Sequence, residues 1–166
     1  MISEKMEKML NDQIAKEFFA SSYYLSIASW CDTKGYDGTA NFFYLQSQEE
    51  REHAMKFFHY VNELDGHAVM PALEEPPSDF SSYKKIFELS LETERQNTKA
   101  IHKIVERSIE EKDYSTQNFL QWFVDEQVEE ENLFMGILDK IDIIGTEGPG
   151  LYMLDKDLGK RQQTQM

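Results

Sequence analysis

Residues 43–64 read FYLQSQEEREHAMKFFHYVNEL, and this stretch decides the fold. Its apolar residues recur at spacings of three and four, which is typical of the inward face of an α-helix in a bundle. That face carries Phe43 and Phe57 toward its ends, but Glu50 and His53 near its middle. The pattern therefore predicts a core-facing helix whose central turns present polar groups to the inside of the protein.

The same pattern of apolar ends and a polar middle recurs in three other long segments. We predict helices α1 to α4 near residues 3–34, 39–64, 82–112 and 115–144, and a short α5 near residues 149–160. Ser82 and Ser115 are suitable N-caps, and Pro149 suits a first helical turn. The inward-facing stripes are Leu10, Ile14, Glu17, Ser21, Tyr24, Ala28 and Cys31; Phe43, Gln46, Glu50, His53, Phe57, Tyr60 and Leu64; Phe87, Leu91, Glu94, Thr98, Ile101 and Val105; and Leu120, Phe123, Gln127, Glu130, Phe134, Ile137 and Ile141.

The lengths of the connections predict the topology. The links from α1 to α2 and from α3 to α4 are short, so each pair should form an antiparallel hairpin. The link from α2 to α3, residues 65–81, is long and contains apolar residues such as Val69 and Phe80. A link of that length can cross the whole bundle and place α2 and α3 parallel. We expect an all-α four-helix bundle with one long crossover and a short fifth helix, in a single domain, 1–166, whose bundle is 3–144.

Four glutamates, Glu17, Glu50, Glu94 and Glu130, lie near the midpoints of the four predicted helices. Antiparallel packing keeps midpoints level, so their carboxylates should meet in one layer. A buried ionised carboxylate is strongly unfavourable unless it is paired or bound to a metal, and no Lys or Arg occupies the stripes. A misread helical register could explain one such residue, but four at one level predict a metal site.

The kind of ligand limits the kind of metal. Carboxylates with one imidazole suit Fe or Mn, with Zn as a competitor, and do not suit thiophilic metals. Glu50 and His53 are three residues apart and face the same way on a helix. This Glu-x-x-His element occurs in two-metal carboxylate bundles. It is weak evidence alone and strong evidence together with the other three glutamates.

Composition excludes several classes of protein. The net charge of −14 argues against a nucleic-acid partner, which needs clustered Lys and Arg. No run of about 18 apolar residues is present, so we expect no membrane span. Cys31 is the only cysteine, so no intrachain disulfide can form. A reducing compartment, and therefore a cytoplasmic location, is expected.

Several residues and segments along the chain are typical of one family. They are Glu17, Tyr24, Gln48 to His53, Glu94, Asn118 to Glu131, and Gly150-Leu151-Tyr152. With these residues the sequence resembles the prokaryotic non-haem ferritins over essentially its whole length. The resemblance implies a 24-subunit hollow shell that oxidises Fe2+ with O2 or H2O2 and stores ferric mineral. It implies no haem, because Arg51 stands where haem-binding relatives have a ligating Met, and the last bundle helix lacks a second Glu-x-x-His.

The same resemblance assigns ligands to two adjacent iron sites. The residues that would hold these irons are Glu17, Glu50, His53, Glu94 and Glu130, with Gln127 close by. Glu17, Glu50 and His53 would hold the first iron. Glu50 would bridge to the second, which the other two glutamates complete.

Further acids and two aromatic residues match positions beside that centre. Tyr24 and Trp122 match aromatic residues that could supply an electron, although both could simply pack in the core. The acids could equally be a solvated face of a helix. The acidic cluster that would form a third iron site consists of Glu49, Glu126, Glu129 and Glu130.

Two other functions remain open from the sequence. One is a di-iron peroxidase with no storage role, which would take up only two or three iron atoms per chain. The other is a purely structural shell subunit. The complete set of glutamate and histidine ligands argues against the structural subunit.

Overall fold

Five α-helices make up the regular structure of residues 2–162, which are the residues that the computed structural model describes. No strand occurs in that range, so the predicted all-α class is confirmed. No helix among these residues is long and apolar enough to cross a membrane. The helices are α1 (Glu4–Lys34), α2 (Asp37–Glu63), α3 (Tyr83–Glu110), α4 (Tyr114–Ile144) and α5 (Gly148–Leu158).

The helix starts follow local capping chemistry. Ser82 caps α3 as predicted, since its hydroxyl accepts a hydrogen bond from the Lys85 backbone N–H at 3.1 Å. The prediction of Ser115 as the cap of α4 is wrong. Asp113 is the cap instead, because its carboxylate accepts from both the backbone N–H and the hydroxyl of Thr116. The helix therefore begins one residue before the predicted start.

Contacts between helix ends give the topology. The Ser3 hydroxyl, before α1, donates to Glu111, after α3, so these two helices are antiparallel. Thr39 and Tyr83, near the starts of α2 and α3, share a hydrogen bond of 2.7 Å, so those two are parallel. This arrangement confirms the long crossover between α2 and α3.

The crossover runs along the outside of α1. Near its beginning, the His67 carbonyl accepts from Asn11 Nδ2 at 3.0 Å. Near its end, Asp79 accepts from the Trp30 indole N–H at 3.1 Å. Because α1 rises about 1.5 Å per residue, the connection covers most of the length of that helix.

The bundle core has two hydrophobic clusters with a polar layer between them. One contains Phe43, Phe87 and Phe134, and the other contains Phe57 and Phe123. Side chains at the ends of each stripe therefore bury apolar area, which is the main favourable contribution to folding. The polar residues at the stripe centres are left in the gap between the two clusters.

Helix α5 packs across the start of α2. The predicted Pro149 lies in its first turn, and Leu154 and Leu158 are buried. Gly38 allows close approach, because a Cβ there would stand 1.8 Å from the carbonyl oxygen of Asp155. The Asp155 carboxylate accepts from the backbone N–H groups of Gly38 and Thr39 at 3.2 and 2.8 Å. It thereby supplies the cap that α2 lacks locally, where no side chain caps the helix start.

Candidate metal centre

The four stripe glutamates and His53 meet in the polar layer between the two hydrophobic clusters. Each of the four helices contributes one glutamate. None of these five side chains is more than 3% exposed. They are Glu17 on α1, Glu50 and His53 on α2, Glu94 on α3 and Glu130 on α4.

These side chains form two groups that could each hold a metal ion. Glu17, Glu50 and His53 form the first, and Glu50, Glu94 and Glu130 form the second. Within each group, one ligand atom per residue lies within 4.8 Å of the others. Glu50 belongs to both, so the geometry suits two adjacent cations with one carboxylate between them.

Three potential metal-ligand atoms at the centre lack hydrogen-bond partners within the described chain. Glu50 Oε2 and both ring nitrogens of His53 are buried without one. Buried polar atoms are normally satisfied, so unsatisfied ones indicate a ligand. Burial lowers the pKa of His53, which keeps the imidazole neutral at pH 7 and its lone pair available to a metal. The donor set therefore fits divalent iron.

Amide side chains hold the carboxylates in place. Gln13 and Asn97 both donate to Glu17 Oε1, at 2.7 and 3.2 Å. Gln127 Nε2 donates to Glu94 Oε2 at 3.1 Å. The predicted ligand Gln127 thus lies beside the centre, where its amide N–H group contacts a carboxylate. These bonds fix ligand orientation, as outer partners commonly do in metal sites.

Gln46 performs the same task from α2. Its Nε2 donates to Glu130 Oε2 at 2.7 Å and to Glu50 Oε1 at 3.3 Å. Arg161, which follows α5, then donates to Gln46 Oε1 at 2.7 Å. The sequence interpretation gave no role to Gln13, Gln46, Asn97 or Arg161. Stripe spacing offered a signal for Gln46 alone.

Burial and mutual repulsion oppose ionisation of the carboxyl groups. Burial raises the pKa of Glu94 to about 7. Burial, then the charges of neighbouring glutamates, raise the pKa of Glu50 and Glu130 well above the ordinary range. A divalent cation would relieve this repulsion, because it favours the charged form of every carboxylate around it.

The two predicted aromatic residues flank the centre on opposite sides. The Tyr24 hydroxyl donates to Glu94 Oε1, and the ring is fully buried. The Trp122 ring centroid lies 5.3 Å from that of His53, with an interplanar angle of 77°. The Lys56 ammonium sits 3.4 Å from the Trp122 ring centroid. Both aromatic side chains are therefore near the candidate ligands, although Trp122 is 36% exposed.

We define the outer acid group as Glu49, Glu126 and Glu129. Its three side chains differ in burial more than the inner glutamates do. Glu49 is buried, Glu126 is half-buried and Glu129 is exposed. Glu126 Oε1 lies 3.8 Å from His53 Nε2, whereas Glu49 Oε2 accepts from Arg161 at 2.7 Å. Unlike the inner glutamates, these acids do not converge within the distance that defines the two inner groups.

The family model for the ferritin-like domain matches residues 7–144. This chain therefore belongs to the ferritin family. It is 46% identical over 159 residues to a probable bacterial non-heme ferritin-like protein of Haemophilus influenzae, covering 96% of each chain. It is also 46% identical over 156 residues to the bacterial non-heme ferritin of Campylobacter jejuni, covering 94% of this chain and 93% of that one.

Solved structures agree with this assignment. A closed form of the Archaeoglobus fulgidus ferritin, engineered by site-directed mutagenesis, superposes with a TM-score of 0.96 at 46% identity, covering 99% of this chain and all of that one. The open-pore ferritin of the same organism superposes with a TM-score of 0.95 at 46% identity, covering 97% and 98%. The predicted resemblance to prokaryotic non-haem ferritins is confirmed.

Proposed function

We propose that this protein is an iron-storage ferritin whose inner glutamates and histidine bind two Fe2+ ions and promote their oxidation to Fe3+. The observation that carries this proposal is the pair of three-residue ligand groups sharing Glu50, with unsatisfied donor atoms on Glu50 and His53. Iron is the substrate here, and the protein supplies the binding geometry. Carboxylates are hard anionic ligands, so the set favours the ferric product over the ferrous substrate.

The reaction has a simple electron balance. Each Fe2+ gives up one electron, so a pair supplies the two electrons that reduce O2 to H2O2, or H2O2 to two waters. The protons that these products need can come from carboxyl groups that lose theirs when iron binds. Tyr24 and Trp122 lie close enough to supply a further electron.

The layer around the site excludes water and orients the ligands. Phe123 lies on one side of His53, with ring centroids 6.0 Å apart, and Phe134 lies at the far side of the layer. Amide donors hold the carboxylate oxygens so that the site needs little rearrangement when iron arrives. We assign Glu17, Glu50, His53, Glu94 and Glu130 as the ligands of the iron pair, with Gln127 beside them.

Storage requires an assembly. We infer a homo-oligomeric 24-subunit shell built from one ferritin-like domain per chain, 1–166, in the cytoplasm. The solved ferritins that this chain resembles support the shell. The exposed side of α5, with Tyr152 69% and Met153 66% exposed, offers apolar area that neighbouring subunits would cover.

The outer acid group would add a third, separable iron site. Glu49, Glu126 and Glu129 each precede an inward-facing residue by one position, so they lie beside the inner ligands and not among them. Their role would follow the first oxidation, in the iron consumed per oxidant or in transfer to the mineral. Substituting Glu126 by Ala should therefore spare the fast reaction.

Aerobic addition of Fe2+, followed by ferric absorbance at sub-second resolution, tests the inner site. Glu17→Ala, Glu50→Ala and His53→Ala should each slow the fast phase at least about tenfold, because each removes a ligand. His59→Ala is the matched control, since His59 is exposed on the same helix. Unchanged rates in the three ligand variants would contradict the assignment.

Stoichiometry and mass test storage. A ferritin should take up far more iron than three atoms per chain and should elute as a closed shell in size exclusion with light scattering. Uptake that stops at two or three irons would favour a di-iron peroxidase. A shell that forms but does not oxidise iron would favour a structural subunit.

A further inference from the structure

Arg161 extends its guanidinium from the end of α5 onto the surface of α2. Its Nη2 donates to Glu49 Oε2 and its Nη1 donates to Gln46 Oε1, both at 2.7 Å. The guanidinium carbon also lies 4.6 Å from the centroid of the Phe42 ring. The Arg161 carbonyl accepts from Asn41 Nδ2 at 3.3 Å. Both the main chain and the side chain of this residue are therefore held on α2.

The two donors of the fork connect the outer acid group with the inner centre. One arm contacts Glu49, while the other holds the Gln46 oxygen. The Gln46 amide then has its NH2 group turned toward Glu50 and Glu130, as the 3.3 and 2.7 Å contacts show. An Asn or Gln amide has only one acceptor oxygen, so the bond from Arg161 disfavours the flipped orientation.

A buried, unsatisfied nitrogen faces the same acids from the inside. His53 Nε2 has no hydrogen-bond partner in the described chain and lies 3.8 Å from Glu126 Oε1. His53 is 1% exposed. Glu126 thus faces an imidazole nitrogen from within the bundle, and Glu49 faces a guanidinium from the segment after α5. These acids therefore attract a cation, and the Arg161 guanidinium already serves as one.

We propose that Arg161 is an internal counter-cation of the outer acid group, which competes there with divalent metal, so that a third metal ion binds only when the guanidinium leaves Glu49. This rests on the proposed function, because the outer acids are its third site. Guanidinium remains protonated at every accessible pH, so the competition does not switch off near neutrality. A divalent ion bound to Glu49 would lie close to the guanidinium, and the two positive charges would repel each other.

The position of Arg161 allows this exchange. The residue lies beyond Leu158, where α5 ends, and its N–H group donates to the Leu158 carbonyl at 3.2 Å. Displacing the side chain therefore breaks two hydrogen bonds and a ring contact but does not unwind a bundle helix. The Arg161 side chain is 18% exposed, so solvent can take up the released guanidinium. The inner sites, which Arg161 does not contact, should fill before the outer one.

Calorimetric titration of the metal-free, assembled, full-length protein with Zn2+ tests the proposal. Zn2+ binds carboxylate and imidazole ligands and does not change oxidation state. In Arg161→Gln, the third binding event should be at least about tenfold tighter than in the wild type, and this change should exceed any change in the two inner events. Arg161→Lys keeps the charge but not the two-armed contact, and it should lie closer to the wild type than to Arg161→Gln.

Two controls sharpen the result. Lys160→Gln removes the same charge from the neighbouring residue, whose ammonium is exposed and lies near Asp157 rather than the outer acids. It should leave the third event unchanged. Adding Glu49→Gln to Arg161→Gln should abolish the gain, because the carboxylate that Arg161 released is then gone.

The outcomes separate the two proposals. Two inner events in the wild type are required by the proposed function, and their absence would contradict that function. With both present, an equal third affinity in wild type and Arg161→Gln, no third event in Arg161→Gln, or the same gain in Lys160→Gln would each overturn the role of Arg161. Zinc anomalous density beside Glu49 with the guanidinium still bound there would also overturn it.

Discussion

Binding of a divalent cation to the metal-free protein should release protons, because the four-glutamate layer is partly protonated near neutral pH. Burial raises the pKa of Glu94 to about 7. Burial and then repulsion by the neighbouring carboxylates raise the pKa of Glu50 and Glu130 well above the ordinary range. Carboxylate ligands bind metal in the ionised form, so each protonated ligand must lose its proton.

The size of the release follows from these pKa values. A carboxyl group with a pKa of about 7 is about 90% protonated at pH 6 and about 10% protonated at pH 8. Glu94 should therefore contribute about 0.9 proton at pH 6 and about 0.1 at pH 8. The raised pKa values of Glu50 and Glu130 mean that these two groups add to the release.

The same groups set the sign of the pH dependence of stability. At pH values between the ordinary carboxyl pKa and the raised pKa values, the native metal-free protein holds more protons than the unfolded chain. Its free energy of unfolding should therefore fall as pH rises from about 4.5 through 7. Bound metal should remove most of this pH-dependent loss of stability.

Calorimetry with Zn2+ in buffers of different ionisation enthalpy measures the proton count directly. The apparent heat should depend steeply on the buffer at pH 6 and less steeply at pH 8. Glu106→Gln is a control, because Glu106 is exposed on the same helix as Glu94. Heats independent of the buffer at pH 6 would refute the picture of a buried, partly protonated cluster.

Three further perturbations have defined outcomes. Gly38→Ala should displace α5 and lower the melting temperature of the shell, because the new Cβ would overlap the α5 backbone. Gly136→Ala is the control and should be neutral, because a Cβ there meets open space. Thermal scans and light scattering compare the two variants. Cys31 should resist alkylation in the native shell, since burial raises its pKa to about 12, and mass spectrometry after iodoacetamide at pH 8 would expose a reactive thiol. Tyr24→Phe removes a hydrogen bond that lowers the pKa of Glu94, so Zn2+ affinity should weaken more at pH 6 than at pH 8, and an equal loss at both would contradict this.

Helical periodicity was sufficient to predict the bundle and the position of its polar layer. The stripe of α2 placed Glu50 and His53 on the inward face, and the structure has both buried there. The long link after α2 predicted the crossover, which Thr39 and Tyr83 verify by meeting at the starts of parallel helices. These features follow from local spacing and connection length, which a single sequence displays.

Contacts between distant residues were not predictable in this way. Gln13 and Asn97 lie 84 positions apart and meet at Glu17. Arg161 contacts Gln46 and Glu49 from a segment outside the four stripes. Neither spacing nor composition marks such pairs. The start of α4 was misplaced because Asp113 and Ser115 are both suitable caps. Which of them caps the helix depends on the geometry of the preceding turn.

The cap that Asp155 provides for α2 can form only late in synthesis of the chain. The Thr39 N–H group has no access to its acceptor, the Asp155 carboxylate, until a residue 116 positions later in the sequence has been made. At translation rates of roughly 5 to 20 residues per second, that interval lasts on the order of 6 to 23 seconds. During it the nascent α1–α2 hairpin has a frayed start to its second helix. Helix α5, which is synthesised later, thus completes helix α2, which is synthesised earlier.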